Sequence, residues 1–157
     1  MANDDGRQTS LPFAGDQPAQ APSLDEVIIN ADGGSRGNPG PAGCGALLKT
    51  PSGQVVAELS RFLGRATNNV AEYQGLIMGL QDAREKGARR VLVRLDSELL
   101  VKQIKGVYKV KSPHLQPLFK QIKSLLAGFA SYRVEHVRRE FNKDADRLAN
   151  LAMDRGE

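Results

Sequence analysis

The sequence predicts an α/β protein built on a mixed five-stranded sheet, with elements in the order βββαβααβα and helices on the faces of the sheet. Three runs rich in β-forming residues are separated by glycine- and proline-rich turns within residues 27–63. After residue 69 the apolar residues change to helical spacing, and strand-like and helix-like segments then alternate to the end of the chain. The length of 157 residues suits about one domain.

The first three strands are expected to form an antiparallel meander. The first is predicted over Val27–Ala31, and the glycine-rich segment that begins at Asp32 is expected to end it. Two more strands are predicted over Ala42–Thr50 and Gln54–Leu63. Because only the turn-forming residues 51–53 join these two strands, we expect a hairpin.

A long helix and a buried strand follow the meander. The helix is predicted over Asn69–Lys86, because its apolar residues recur at helical spacing and Gly87 closes the run. Val91–Leu95 is almost entirely apolar, so we expect a strand that is buried on both faces.

The last third of the chain is predicted to contain three helices and one strand. Helices are expected over Glu98–Lys105 and over residues 112–127, where Ser112-Pro113 provides a start signal. Tyr132–Val137 is the fifth strand. Asn142 is expected to cap a final helix that ends near residue 153 and carries its small apolar residues on one face.

The composition divides the chain into a tail and a basic body. Residues 1–25 are polar and lack periodicity, so we expect a disordered N-terminal tail and a folded domain over residues 26–157. Residues 27–157 carry 21 basic and 13 acidic side chains, which favours a polyanionic partner such as nucleic acid.

No apolar run approaches the roughly 20 residues of a membrane-spanning helix. With no secretory leader recognised and a lone Cys44, we expect a cytoplasmic protein, and a monomer.

Four acidic residues fall where the predicted elements bring them together. Asp32 follows the first strand, and Asp96 follows the fourth, its expected neighbour in the sheet. Glu72 and Asp146 lie in the first turns of helices that can pack beside those strands. Each acid alone has a simpler interpretation, as a turn former or as a charge at a helix N-terminus. Together, at strand ends where α/β sheets collect ligands, they predict a site.

Such a group of acids favours a metal ion. Four carboxylates at one point repel each other unless a cation neutralises them, and their hard oxygen ligands favour Mg²⁺ or Mn²⁺ over zinc. A pair of such ions is the usual apparatus for hydrolysis of a phosphodiester. Motifs of other enzyme classes are missing from the sequence, which has no P-loop, no GxGxxG opening a helix and no evident Ser-His-Asp or Cys-His set.

Four segments resemble the motifs of type 1 ribonuclease H, in order and with compatible spacing over residues 27–155. They are DGGSRGNPGPAG from residue 32, TNNVAE from residue 67, DS from residue 96 and NKDADRLA from residue 142. The resemblance implies the ribonuclease H-like fold and hydrolysis of the RNA strand of an RNA–DNA hybrid to 5′-phosphate products. It also implies two Mg²⁺ ions, with Mn²⁺ as a substitute, held by the catalytic acids Asp32, Glu72, Asp96 and Asp146.

The same resemblance implies contacts with the substrate. Three polar residues match those that line the minor groove of the hybrid, namely Asn38, Asn68 and Asn69. Recognition there rests on 2′-hydroxyls and groove shape rather than on base sequence. Three more resemble a pocket for a phosphate of the DNA strand, namely Arg65, Thr67 and Asn142. For Asn142, capping of the last helix is an equally good interpretation, while Arg65 and Thr67 also fit a surface charge and a turn.

The chain departs from the family pattern in four places. The loop before Asp146 is short and has no catalytic-loop His, so Arg139 and Glu140 are candidates for its role in proton handling or product release. The long basic protrusion of some family members is absent. No Trp is present, and Tyr108 is the nearest aromatic that can flank the DNA strand, with a place in the core as the alternative. Glu98 stands where many family members have Gln and adds a fifth acid.

Two other functions stay open. A DNA nuclease or recombinase of the wider ribonuclease H-like group shares the carboxylates but not the Asn38 and Thr67-Asn68-Asn69 set. A non-catalytic module that binds hybrids is expected to have lost an acid, whereas all four are present. The hybrid-specific ribonuclease is therefore favoured.

The tail holds one compact apolar cluster. Gln8, Leu11 and Phe13 have the spacing of short peptides that dock into bacterial sliding clamps. Leu11 and Phe13 can fill an apolar pocket, and Gln8 can hydrogen-bond at its rim. Residues 14–24 would then tether the nuclease to replicating DNA. The alternative is an arbitrary apolar spot, because six-residue patterns often arise by chance.

Overall fold

The structure, a computed structural model, describes residues 24–157, which form a five-stranded sheet and four helices. The strands are β1 (Glu26–Ser35), β2 (Gly40–Lys49), β3 (Val55–Ala66), β4 (Arg90–Leu95) and β5 (Ser131–His136). The helices are α1 (Asn68–Glu85), α2 (Glu98–Ile104), α3 (Gln116–Ala127) and α4 (Lys143–Arg155), with a 3-10 turn at Arg139–Phe141. The strand order is β3-β2-β1-β4-β5, antiparallel among the first three and parallel from β1 through β4 to β5. The predicted fold class and element order are confirmed.

Helices cover both faces of the sheet. Helices α1, α2 and α3 share one apolar core with the sheet, whose fully buried members include Ile29, Leu48, Leu76, Val93 and Leu126. On the opposite face, α4 packs its small and apolar residues over β1, β2 and β3. Within residues 24–157, no helix is both long and apolar enough to cross a membrane.

The prediction that Asp32 ends the first strand is wrong. Strand β1 continues through Gly33 to Ser35, and Asp32 pairs with Gly45 of β2. The glycines serve close packing rather than a turn, because a Cβ on Gly33 would lie 2.1 Å from the carbonyl oxygen of Ala71 in α1. A Cβ on Gly45 would likewise lie 2.5 Å from Cβ of Leu148 in α4. Both helices can therefore approach the sheet at the level of Asp32.

The structure also moves two predicted boundaries. Helix α3 begins at Gln116 rather than at Ser112, because residues 112–115 form a turn and Pro117 takes the early helical position that was assigned to Pro113. The folded part includes Leu24, which packs against the core, and Asp25, whose carbonyl accepts from the backbone N–H groups of Arg89 and Arg90 at the start of β4. The expected disorder of the tail concerns residues that otherwise lie outside those described.

Candidate active site

Three carboxylates meet where β1, β4 and α1 adjoin. One oxygen from each of Asp32, Glu72 and Asp96 lies within 4.8 Å of the other two. Strands β1 and β4 are parallel neighbours in which Ala31 pairs with Leu95, so Asp32 and Asp96 follow at the same level. Glu72 reaches them from the second turn of α1, whose backbone approaches β1 at Gly33. The tertiary fold thus assembles three of the four predicted acids into one compact group.

Asp146 adjoins this group from the opposite face of the sheet. It lies in the first turn of α4, which packs over Gly45, the strand partner of Asp32. Its carboxylate raises the pKa of Asp32 through its charge and through a hydrogen bond. The Asp146 carboxylate is not part of the group formed by Asp32, Glu72 and Asp96, whose oxygens all lie within 4.8 Å of one another. Asp146 therefore contacts the cluster through Asp32.

The electrostatics of the cluster suit a divalent cation. Burial and the neighbouring charge of Asp96 raise the pKa of Asp32 from 3.8 to about 8, although the N–H of Gly33 donates to its carboxylate at 2.8 Å. Burial and Asp96 also raise the pKa of Glu72 to about 7, against a lowering by Arg139. Carboxyl groups that retain protons because of their neighbours exchange them for a cation, and an all-oxygen donor set fits a hard divalent ion.

Arg139 lies in the 3-10 turn before α4. The effect of Arg139 on the pKa of Glu72 shows that its positive charge acts on the cluster. Glu140 instead forms an exposed ion pair with Arg138 at 3.1 Å. Of the two loop candidates, Arg139 is therefore the one whose charge acts on the carboxylates.

A separate open pocket of about 520 Å³ contains several of the predicted substrate residues. It is lined by Asn38, Arg65, Thr67 and Asn69, together with Ser112, His114 and Leu115 from the turn before α3. Thr67 also caps α1, since its Oγ1 accepts from the N–H of Val70 at 3.2 Å. Ser112 and His114 were not predicted as site residues. Only the helix start signal at Ser112-Pro113 marked this segment in the sequence.

Two of the three predicted minor-groove residues, Asn38 and Asn68, tie the β1–β2 turn to the start of α1. Oδ1 of Asn38 accepts from the N–H of Asn68 at 3.0 Å, and Oδ1 of Asn68 accepts from the N–H of Ser35 at 2.8 Å. Both side chains are exposed and lie beside Asn69, which is also exposed. The fold therefore brings the three asparagines together on one accessible edge.

The structure places Asn142 away from that pocket. Its side chain is only 1% exposed and makes no cap hydrogen bond, although the residue occupies the N-cap position of α4. Its Nδ2 donates to the carbonyl of Ala31 at 3.0 Å and to Oδ2 of Asp96 at 3.2 Å. The prediction that the Asn142 side chain caps α4 is therefore wrong. Asn142 is also not among the residues that line the pocket with Arg65. Asn142 instead contacts the carboxylate cluster.

Tyr108 and Glu98 are both on the surface. The Tyr108 ring is 47% exposed, so it is not a core residue, and Nζ of Lys102 lies 5.2 Å from the ring centroid. Glu98 forms an exposed ion pair with the same lysine at 3.3 Å. The fifth acid is therefore paired with a base and is not part of the compact carboxylate group.

Comparisons with known proteins agree with this geometry. A family model described as reverse transcriptase-like matches residues 30–152. The chain is 53% identical over 130 residues to a bifunctional protein of Mycobacterium tuberculosis, covering 82% of this chain and 36% of that protein. It is 44% identical over 123 residues to a ribonuclease HI of Halobacterium salinarum, covering 78% of this chain and 62% of that protein. The chain thus spans only about a third of the length of the mycobacterial relative.

Solved structures give the same assignment. The N-terminal RNase H domain of the mycobacterial protein matches with a TM-score of 0.81 and 52% identity, covering 83% of this chain and 95% of that one. The RNase H1 of H. salinarum matches with a TM-score of 0.81 and 42% identity, covering 83% and 98%. LC11-RNase H1 in complex with an RNA/DNA hybrid matches with a TM-score of 0.78 and 43% identity, covering 82% and 97%. With its fold, its acidic cluster and these relatives, the chain belongs to the type 1 ribonuclease H family.

Proposed function

We propose that this chain is a metal-dependent endoribonuclease that hydrolyses the RNA strand of RNA–DNA hybrids to 5′-phosphate products. The observation that carries the proposal is the compact group of Asp32, Glu72 and Asp96, with Asp146 beside Asp32. Family membership supports the substrate, since a solved relative is described in complex with an RNA/DNA hybrid. The excess of basic residues in the body supports a polyanionic partner.

We infer that the four acids hold two Mg²⁺ ions, for which Mn²⁺ can substitute. The chemistry that such bound ions supply is activation of a water and stabilisation of the leaving oxygen in phosphodiester hydrolysis. The four side chains supply oxygen ligands and fix where the scissile phosphate must lie. Arg139 places a positive charge beside Glu72, where it can neutralise part of the phosphate charge or aid product release.

Binding of the hybrid is assigned to the surface beside the cluster. The pocket lined by Arg65, Thr67 and His114 has the positive charge and hydrogen-bond donors that a backbone phosphate requires. Asn38, Asn68 and Asn69 offer amides to the minor groove, where 2′-hydroxyls distinguish RNA from DNA. Tyr108 is accessible for contact with the DNA strand.

The test is cleavage of three labelled duplexes, an RNA–DNA hybrid, double-stranded RNA and double-stranded DNA, with Mg²⁺, with Mn²⁺ and with a chelator. We expect metal-dependent cleavage of the RNA strand of the hybrid alone, and none by Asp96→Asn. Cleavage of double-stranded DNA would favour a DNA nuclease of the wider group. Binding of the hybrid without cleavage would favour the non-catalytic module. Either result would overturn the proposal.

We also propose that the segment before Leu24 tethers the enzyme to a sliding clamp in the cytoplasm, and that the enzyme is a monomer. The support is the spacing of Gln8, Leu11 and Phe13, which lie outside the described residues. A labelled peptide spanning residues 7–15 is titrated against a bacterial clamp, with the Leu11→Ala/Phe13→Ala peptide as control. Equal binding of the two peptides, or binding by neither, removes the idea. Light scattering of the whole chain reports its oligomeric state.

A further inference from the structure

Two asparagine side chains are buried together beside Asp96. Asn30, in the middle of β1, is 5% exposed, and Asn142 is 1% exposed. Nδ2 of Asn30 donates to Oδ1 of Asn142 at 3.0 Å. Nδ2 of Asn142 in turn donates to Ala31 and to Asp96, so both of its hydrogens are in use. Among residues 24–157, Asn142 is the side chain that hydrogen-bonds to the Asp96 carboxylate.

The direction of these hydrogen bonds has only one solution. The carbonyl of Ala31 and the carboxylate of Asp96 can only accept, so Asn142 must turn its NH₂ group toward them. A flipped amide would place Oδ1 of Asn142 against two oxygens. Oδ1 must therefore face the other way, and there it needs a donor, which Asn30 supplies. The orientation of Asn142 is thus determined from both ends.

Asn30 keeps this arrangement at a cost. Its own Oδ1 is buried and has no hydrogen-bond partner in the described part of the chain. A buried acceptor without a partner costs about 1–3 kcal/mol. A leucine, which branches at the same carbon as asparagine, would carry no such acceptor in the strand, whose neighbouring residues Ile28 and Ile29 are apolar. The buried amide pair therefore calls for a reason other than stability.

We propose that Asn30 and Asn142 are positioning residues that hold the Asp96 carboxylate in the orientation in which it meets Asp32 and Glu72. A hydrogen bond donated to a carboxylate is strong and directional, so it restricts rotation of that side chain before the metal binds. Partners that orient metal ligands in this way typically affect metal affinity or activity by about 10- to 100-fold. The inference rests on the proposed metal-dependent function.

The experiment compares Asn30→Leu, Asn142→Leu and the double variant with the wild-type chain. The readouts are Mn²⁺ and Mg²⁺ binding to the protein alone by calorimetry, kcat and KM on the hybrid, and Tm without metal. Gln103→Met is the matched control, because it removes another buried amide, bonded to the Tyr73 hydroxyl in the core. If Asn142→Leu does not fold, Asn30→Leu and Asn30→Ser decide the question.

We expect Asn30→Leu to weaken Mn²⁺ binding and lower kcat by about tenfold or more, with KM for the hybrid unchanged. Tm should stay close to the wild-type value, because the unpartnered oxygen of Asn30 is exchanged for an unpartnered oxygen on Asn142. Gln103→Met should leave metal binding and kcat at wild-type values whatever its Tm. The double variant should match Asn142→Leu, because Asn30 acts only through Asn142.

Wild-type metal affinity and kcat in Asn30→Leu, or losses that multiply in the double variant, would overturn the proposed positioning role. The proposed function fails in a different way, since the wild-type chain would then not cleave the hybrid at all. In that case the calorimetric difference between wild type and Asn30→Leu still reports on the positioning of Asp96.

Discussion

Replacement of Asp32 by Asn is expected to stabilise the metal-free protein while abolishing cleavage. In the folded chain the pKa of Asp32 is about 8, against an ordinary 3.8, because of burial and the charge of Asp96. At pH 7 this carboxyl group is ionised in the unfolded chain but mostly protonated in the folded chain. Ionisation therefore lowers the free energy of the unfolded chain only, and the wild-type protein is less stable by that amount. The difference amounts to about 4 kcal/mol, from 1.36 kcal/mol per pKa unit. Asn cannot ionise, so the variant escapes this cost and still accepts from the N–H of Gly33.

The sign of the pH dependence follows from the raised pKa. The folded state binds the Asp32 proton more tightly than the unfolded state does. The stability that this bound proton contributes to the wild type is therefore fully present below about pH 4 and is lost as the pH rises toward 8. The advantage of Asp32→Asn should therefore grow from about 2 kcal/mol at pH 5 to about 5 kcal/mol at pH 8. At about 3–5 °C per kcal/mol for a domain of this size, Tm at pH 7 should rise by roughly 10 °C or more.

The assay is thermal and urea unfolding by circular dichroism in the presence of a chelator, from pH 5 to pH 8. Asp82→Asn is the control, because it removes an ion pair with Lys86 on the surface and should cost less than about 1 kcal/mol at every pH. Added Mg²⁺ should raise the Tm of the wild type more than that of Asp32→Asn. If Asp32→Asn is no more stable than the wild type, or if its extra stability does not grow with pH, then burial and the charge of Asp96 do not destabilise the ionised Asp32 carboxylate.

Three further changes test the neighbouring parts of the structure. Arg65→Ala should weaken binding of the hybrid and reduce the slope of log affinity against log salt by about 1, since it removes one phosphate contact; an unchanged slope would make Arg65 only a surface charge. Arg139→Ala should lower kcat by roughly tenfold, about 1.4 kcal/mol in the barrier, with hybrid binding retained; unchanged steady-state kinetics would exclude the loop from the mechanism. Gly33→Ala should destabilise the fold by about 3 kcal/mol or more, because its Cβ would overlap the backbone of α1 at Ala71; unfolding in urea at wild-type concentrations would contradict that packing.

The sequence by itself determined the order of the elements and predicted the four acids, three of which the structure brings together in the compact group. Strands and helices were recognisable because apolar periodicity is a local property, read within a dozen residues. Asp32, Glu72, Asp96 and Asp146 were identified because each stands in a short motif of fixed spacing. The tail motif at Gln8, Leu11 and Phe13 was also read locally and stays a prediction.

Only the tertiary structure decided what surrounds those acids. Asn30 and Asn142 are 112 positions apart, and their contact exists because α4 packs across β1 beside Asp96. Glycines at 33 and 45 were interpreted as turn or strand residues, whereas their role is to admit a helix backbone from each face. The direction of a buried side chain and the closeness of two packed elements depend on sheet order and register, which no short stretch of sequence encodes.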